Sequence, residues 1–152
     1  MPEIREKNYW ERLYHLKMLS QERRMERYRI IAVWKVLQGL SPNCGVEVVA
    51  ATSGRLGRRC AVPSLLPGGR RAAQTLRESS FQVDGPRLFN TLPKKIREIR
   101  TNQEDFKEAL DQFLMSVPDQ PRMAGLVPAA TCQRTGRPSN SLLAWATWRG
   151  DT

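Results

Sequence analysis

The segment Ser20 to Asn43, SQERRMERYRIIAVWKVLQGLSPN, constrains the fold more than any other part of the chain. Both of its ends carry helix boundary signals, and its middle is almost wholly apolar. Ser20 is a good N-cap, because its hydroxyl can accept from the free amides of the first turn. Gly39 suits the left-handed position that closes a helix, Leu40 can fold back on the last turn, and Pro42 blocks continuation. The spacing predicts a helix from Gln21 to about Gln38. Two apolar stripes run along it: Met25, Tyr28, Ala32 and Val36 on one side, and Ile30, Val33, Trp34 and Leu37 roughly opposite. A helix that is apolar nearly all round must be covered on both sides. This segment is therefore expected to be the central helix of a small domain. Traced backward, the second stripe meets Glu26, Arg27 and Arg23. That reading leaves the start of the helix wet and Arg23, Arg24 and Arg27 free to meet a polyanion.

The flanking segments also read as helices. Residues 3–19 place Tyr9, Trp10, Leu13 and Leu16 on one side and Glu11, Arg12 and His15 on the other. Ser80-Phe81-Gln82-Val83 alternates like an edge strand. Asp84-Gly85-Pro86 then reads as a turn, with Pro86 at the first position of a short helix that carries Leu88, Phe89 and Leu92 inward. Pro93 restarts the chain, with Ile96 and Ile99 inward and Lys94, Lys95, Arg97 and Arg100 outward. Thr101-x-x-Glu104 has the form of a capping box. Phe106, Ala109, Leu110, Phe113, Leu114 and Val117 then follow at helical spacing until Pro118. The expected fold class is mainly α: a small helical domain over 3–117 with three longer helices and one short one.

Residues 44–80 interrupt that pattern with glycine, proline, serine and arginine. Residues 45–50 and 60–63 read as a short β-hairpin about the turn that holds Arg55, Arg58 and Arg59. A second basic turn follows, with Arg70 and Arg71 after Pro67-Gly68-Gly69. Glycine lets backbone approach a ligand closely, and the arginine fork matches phosphate oxygens. The insert reads either as a phosphate-gripping arm or as a disordered basic loop. Residues 118–152 read as a proline-rich, flexible tail. Within it, Ser139 to Trp148 can form a docking turn, with Trp145 and Trp148 either covering the central helix or lying exposed.

The charge balance narrows the function. Lys+Arg number 25 against 15 Asp+Glu, a net charge of +10, with a pI near 10.3. Such an excess favours polyanions, above all nucleic acid. The surplus sits in the first eighty residues, whereas 81–117 carries six groups of each sign. Cys44, Cys60 and Cys132 stand far apart, and the lone His15 cannot complete a zinc set with them. The charged N-terminus does not resemble a signal peptide, and no apolar run approaches the ~20 residues of a membrane span. These features lead to the expectation of a soluble intracellular protein, nuclear or cytoplasmic. Glu104, Asp105, Glu108 and Asp111 read as a solvated acidic face and not as a metal site. No nucleophile elbow, histidine dyad, cofactor loop or Tyr/Phe-x-Asp-Asp turn occurs. The chain is expected not to be an enzyme on its own, and to hold neither cofactor nor metal.

The blocks ERRMERYRIIAVWKVLQGL, FQVDGPRLFNTLPKKIRE and FKEALDQFL occur in that order, followed by RPSNSLL. In sequence and spacing they resemble the C-terminal end of the endonuclease/reverse transcriptase of jockey-like non-LTR retrotransposons, from about Tyr9 to Leu143. The resemblance implies a thumb-like region downstream of the polymerase palm in a larger RNA-directed DNA polymerase. It implies RNA or an RNA/DNA template–primer as partner, together with palm and finger domains that would lie N-terminal to this chain. None of the family's catalytic positions falls within it. On this reading Arg23, Arg24, Arg27, Arg55, Arg58, Arg59, Arg70, Arg71, Lys94 and Lys95 are the candidate phosphate contacts. The alternative is a structural or protein-interaction remnant without independent activity.

Overall fold

A computed structural model describes residues 6–49, 57–63, 80–119 and 141–149. Those residues are mainly helical. In chain order they form α1 (Tyr9–His15), α2 (Gln21–Leu37), β1 (Val48–Val49), β2 (Arg59–Cys60), α3 (Phe81–Asn90), α4 (Lys94–Arg97), α5 (Gln103–Ser116) and α6 (Leu142–Arg149). Arg55, Arg70 and Arg71, Cys132, the second basic turn and most of the proline-rich tail lie outside the described residues.

Helix α2 begins and ends as its sequence dictates. The Ser20 side chain accepts from the Arg23 amide. Gly39 adopts φ +73°, and the amides of Leu40 and Gly39 donate to the carbonyls of Lys35 and Val36. That bond pair closes the last turn in the Schellman manner. The core forms against the second stripe. Ile30, Val33 and Trp34 are buried with Leu88, Phe89, Leu92, Phe106, Leu110, Leu114 and Leu142. Trp34 stacks on Phe106 with ring centroids 5.1 Å apart, and its indole N–H donates to the Ile99 carbonyl at 2.8 Å. The other stripe is covered only toward the end of the helix, where Ala32 and Val36 are half-buried and Val36 packs against the core. Met25 is 51% exposed and Tyr28 is 61% exposed, whereas Ile31, outside both stripes, is buried. No described element packs over the Met25–Tyr28 side.

Four local readings are corrected. Residues 80–83 are not an edge strand, because Ser80 is the N-cap of α3 and Phe81–Val83 its first turn. Pro86 lies inside that helix. Gly85 is not a turn glycine. A Cβ there would meet Val33 Cγ2 at 2.8 Å and Phe81 Cε2 at 3.1 Å. The glycine is required by the close approach of α3 to α2, which outweighs the poor helix propensity of Asp-Gly-Pro. The cap of α5 is Asn102, whose side chain accepts from the Glu104 amide, so the Thr101 capping box does not form. The first helix spans only Tyr9–His15, with the capping box made by Asn8 and Glu11, and it buries no residue.

The predicted hairpin is present in short form. Val48 pairs with Cys60 and Val49 with Arg59, antiparallel. Its outer side is tied to α3 by Asn90, whose side-chain oxygen accepts from the Cys60 amide and whose amide group donates to the Cys60 carbonyl, both at 2.9 Å. The C-terminal segment read as tail contains α6, which begins with Leu142 fully buried. Trp145 of that helix meets Phe113 edge-on, ring centroids 6.0 Å apart. It therefore packs on α5.

Candidate nucleic-acid interface

The seven candidate cations among the described residues do not share one face. Arg24 is exposed, with its Nε donating to the Leu19 carbonyl. Arg23, read as free, is fully buried. Its Nη2 donates to the Pro118 carbonyl at 2.9 Å, its Nε lies 3.5 Å from Asp119 Oδ1, and its Nη1 lies 3.7 Å from Glu26 Oε2. Periodicity placed Glu26 and Arg23 in water because it could not show Asp119 or Ser141. Asp119 also accepts from the Ser20 amide and hydroxyl. Glu26 accepts from the Ser141 hydroxyl at 2.6 Å and the Leu142 amide at 3.1 Å. Together these groups form a buried polar knot that fastens the start of α2 to the ends of α5 and α6. Arg27 forks onto Asp111 of α5 through Nε and Nη2, and the Asp111 hydrogen bond raises its pKa further. The start of α2 thus retains Arg24 as its outward-facing candidate.

The far end of α2 is different. Arg58 is buried and donates from Nη2 to the Leu37 carbonyl at 2.8 Å. A cation is favoured there because the last carbonyls of a helix carry its negative end. Arg97, read as outward, is also buried. Its Nε donates to the Leu92 carbonyl at 2.9 Å, and its Nη1 donates to the Arg58 carbonyl at 2.8 Å. Gly57, at φ +61°, lets the hairpin lie directly on α4: a Cβ there would meet Lys94 Cγ at 2.8 Å and Glu98 Oε1 at 3.0 Å.

This packing gathers Arg58, Arg59, Lys94, Arg97 and Arg100 in one corner. The acid within it is Glu98, 3.8 Å from Lys94 Nζ; Glu47, on the approach to β1, is exposed. Burial lowers the pKa of Arg58, with the charge of Arg100 next in weight. Burial likewise lowers that of Arg97, with Arg59 next. Both stay cationic at neutral pH, as guanidinium groups do in proteins. Arg58 Nη1 and Arg59 Nε are buried without an acceptor. Lys94, Lys95 and Arg100 are exposed, and Arg59 is half-buried.

Two members of this corner, Arg97 and Arg100, were not among the sequence-derived candidates. Their i, i+3 spacing beyond Lys94 was the available signal. Arg24 stands apart: thirteen residues of helix separate it from Leu37, on the order of 20 Å. Among the described residues no group of three or more His, Cys, Asp or Glu could hold a metal ion. No described helix is long and apolar enough to cross a membrane. A groove of about 870 Å³ lies between α1 and the end of α5, lined in part by Trp10, Tyr14, Met18 and Met115.

No protein-family model, no curated protein and no solved structure matches this chain.

Proposed function

We propose that the chain is a non-catalytic, nucleic-acid-contacting module that acts as part of an RNA-directed DNA polymerase of the non-LTR type. In this role it grips the backbone of a template–primer or of element RNA. The observation that carries the reading is the corner of five cations at the hairpin and α4, gathered with Glu98 as the neighbouring acid. Phosphate contacts of this kind set position and register without reading bases. They also release counterions, so affinity falls steeply with salt. With three phosphates neutralised on a duplex, affinity should drop roughly 40-fold between 50 and 200 mM salt. Filter binding to a short RNA/DNA hybrid at those two concentrations tests this. Salt-insensitive binding, or none at low salt, would refute it.

The exposed apolar surface favours a second reading. Tyr14 is 80% exposed, and Met18, Met25 and Tyr28 are also exposed. Tyr14 and Met18 line the α1–α5 groove, and exposed apolar residues of this kind suit a protein interface. If docking is the chain's whole role, the isolated chain will self-associate in sedimentation and ignore RNA.

A further inference from the structure

We propose that the corner formed by β2, α4 and Arg100 is a seat for a single phosphate group, and that filling it clamps the hairpin onto α4 and onto the end of α2. The proposal rests on the reading of the chain as a backbone-phosphate binder and names the residues of that contact. Three observations support it. Arg58 is nine-tenths buried, yet its Nη1 has no acceptor, and Arg59 Nε is likewise sealed without one. Buried donors of this kind are normally satisfied. An oxyanion supplies several acceptors at once, and guanidinium groups bind it through paired N–H donors.

The second observation is rigidity. Arg58 is anchored on Leu37 O and Arg97 on Leu92 O and Arg58 O. These bonds tie three elements together through the two side chains, so an anion drawn to them bears on the hairpin, α4 and α2 together. The third is accessibility. Arg59, Lys94 and Arg100 border the buried pair with partly or fully exposed side chains, and long flexible chains can swing onto an anion. Without one, like charges crowd Arg58 and Arg97 from Arg100 and Arg59. A bound phosphate turns that repulsion into shared attraction.

The test is thermal unfolding of the full chain in sodium phosphate against sodium chloride at equal ionic strength. A parallel series uses a short RNA oligonucleotide. At ten times the dissociation constant of phosphate, the melting temperature should rise about 3–6 °C. Arg59→Gln and Arg100→Gln should each remove at least half of that rise, and Arg24→Gln should leave it intact. Arg58 and Arg97 are unsuited to substitution because both hold backbone. No rise in phosphate, or a full rise in both variants, overturns the seat. RNA binding that keeps its salt dependence in those variants then leaves the broader reading standing. A phosphate rise lost in the variants, with no RNA binding to the parent chain, upholds the seat and overturns the nucleic-acid reading.

Discussion

Replacing Arg23 by Met separates the structural role found for this residue from the binding role its sequence suggests. Met keeps an unbranched stem in the buried slot and removes the charge. Three partners are lost: the Pro118 carbonyl, Asp119 and Glu26. A hydrogen bond from a charged donor contributes ~1.5–3 kcal/mol. Removing one member of a buried ion pair costs ~3–5 kcal/mol, because the charge left behind is uncompensated. Asp119 keeps its two bonds from Ser20 and Glu26 keeps those from Ser141 and Leu142, so the loss is that of the positive charge both carboxylates face. The expected destabilisation is therefore ~3–5 kcal/mol, equivalent to about 8–15 °C in melting temperature for a chain of this size. Urea unfolding followed by circular dichroism at 222 nm gives the value directly. Arg24→Met, one residue away and exposed, should change stability by no more than ~0.5 kcal/mol. Combining Arg23→Met with Glu26→Gln should cost less than the two single losses added, since the stranded charge is then gone. A loss below ~1 kcal/mol for Arg23→Met, or strict additivity in the double variant, would refute the buried knot.

Further predictions concern the core, pH and thiol reactivity. Trp34→Ala should cost ~3–5 kcal/mol in urea unfolding, since the ring stacks on Phe106 and its N–H holds Ile99 O; a loss under ~1 kcal/mol would contradict that packing. Burial raises the pKa of Glu26 above its ordinary value, against the opposing effects of Ser141, Arg23 and Leu142. The native state then takes up this proton more readily than the unfolded chain. Glu26's favourable contribution is fully present below the ordinary carboxyl pKa and is lost as pH rises through the raised native value. Glu26→Gln should abolish that decline, and a stability difference between the two proteins that stays constant with pH would count against it. Cys44 is exposed and Cys60 buried, and burial pushes the Cys60 thiol up to about 11. Iodoacetamide at pH 8 should alkylate Cys44 well before Cys60, as peptide mapping would show; equal rates would contradict the burial.

The parts of the fold that were legible in the sequence rest on local chemistry. Ser20, Gly39 and Pro42 fixed the ends of α2, and the 106–117 pattern fixed the buried side of α5, because capping and periodicity act within one or two turns. What was misread depends on distant partners. Gly85 reads as a turn until Val33 stands against it. Glu26 and Arg23 read as wet until Ser141 and Asp119 arrive from about a hundred residues away in the chain. The candidate site divides in the same way. The basic turn and the lysines of α4 were visible as composition. That Arg58 and Arg97 are tied down by backbone carbonyls, leaving Arg59 and Arg100 as the outward partners, follows only from how the hairpin lies on α4.

The amide of Asn90 has a further consequence. A two-stranded ribbon ordinarily offers its outer backbone groups as a template for a third strand, from its own chain or another. A primary amide carries one donor group and one acceptor group side by side, much like a peptide unit. By holding both the N–H and the C=O of Cys60, the Asn90 side chain occupies the position a neighbouring strand would take. The growing edge of β2 is thereby closed at Cys60 by a helix residue, and a basic ribbon is protected there from pairing with copies of itself.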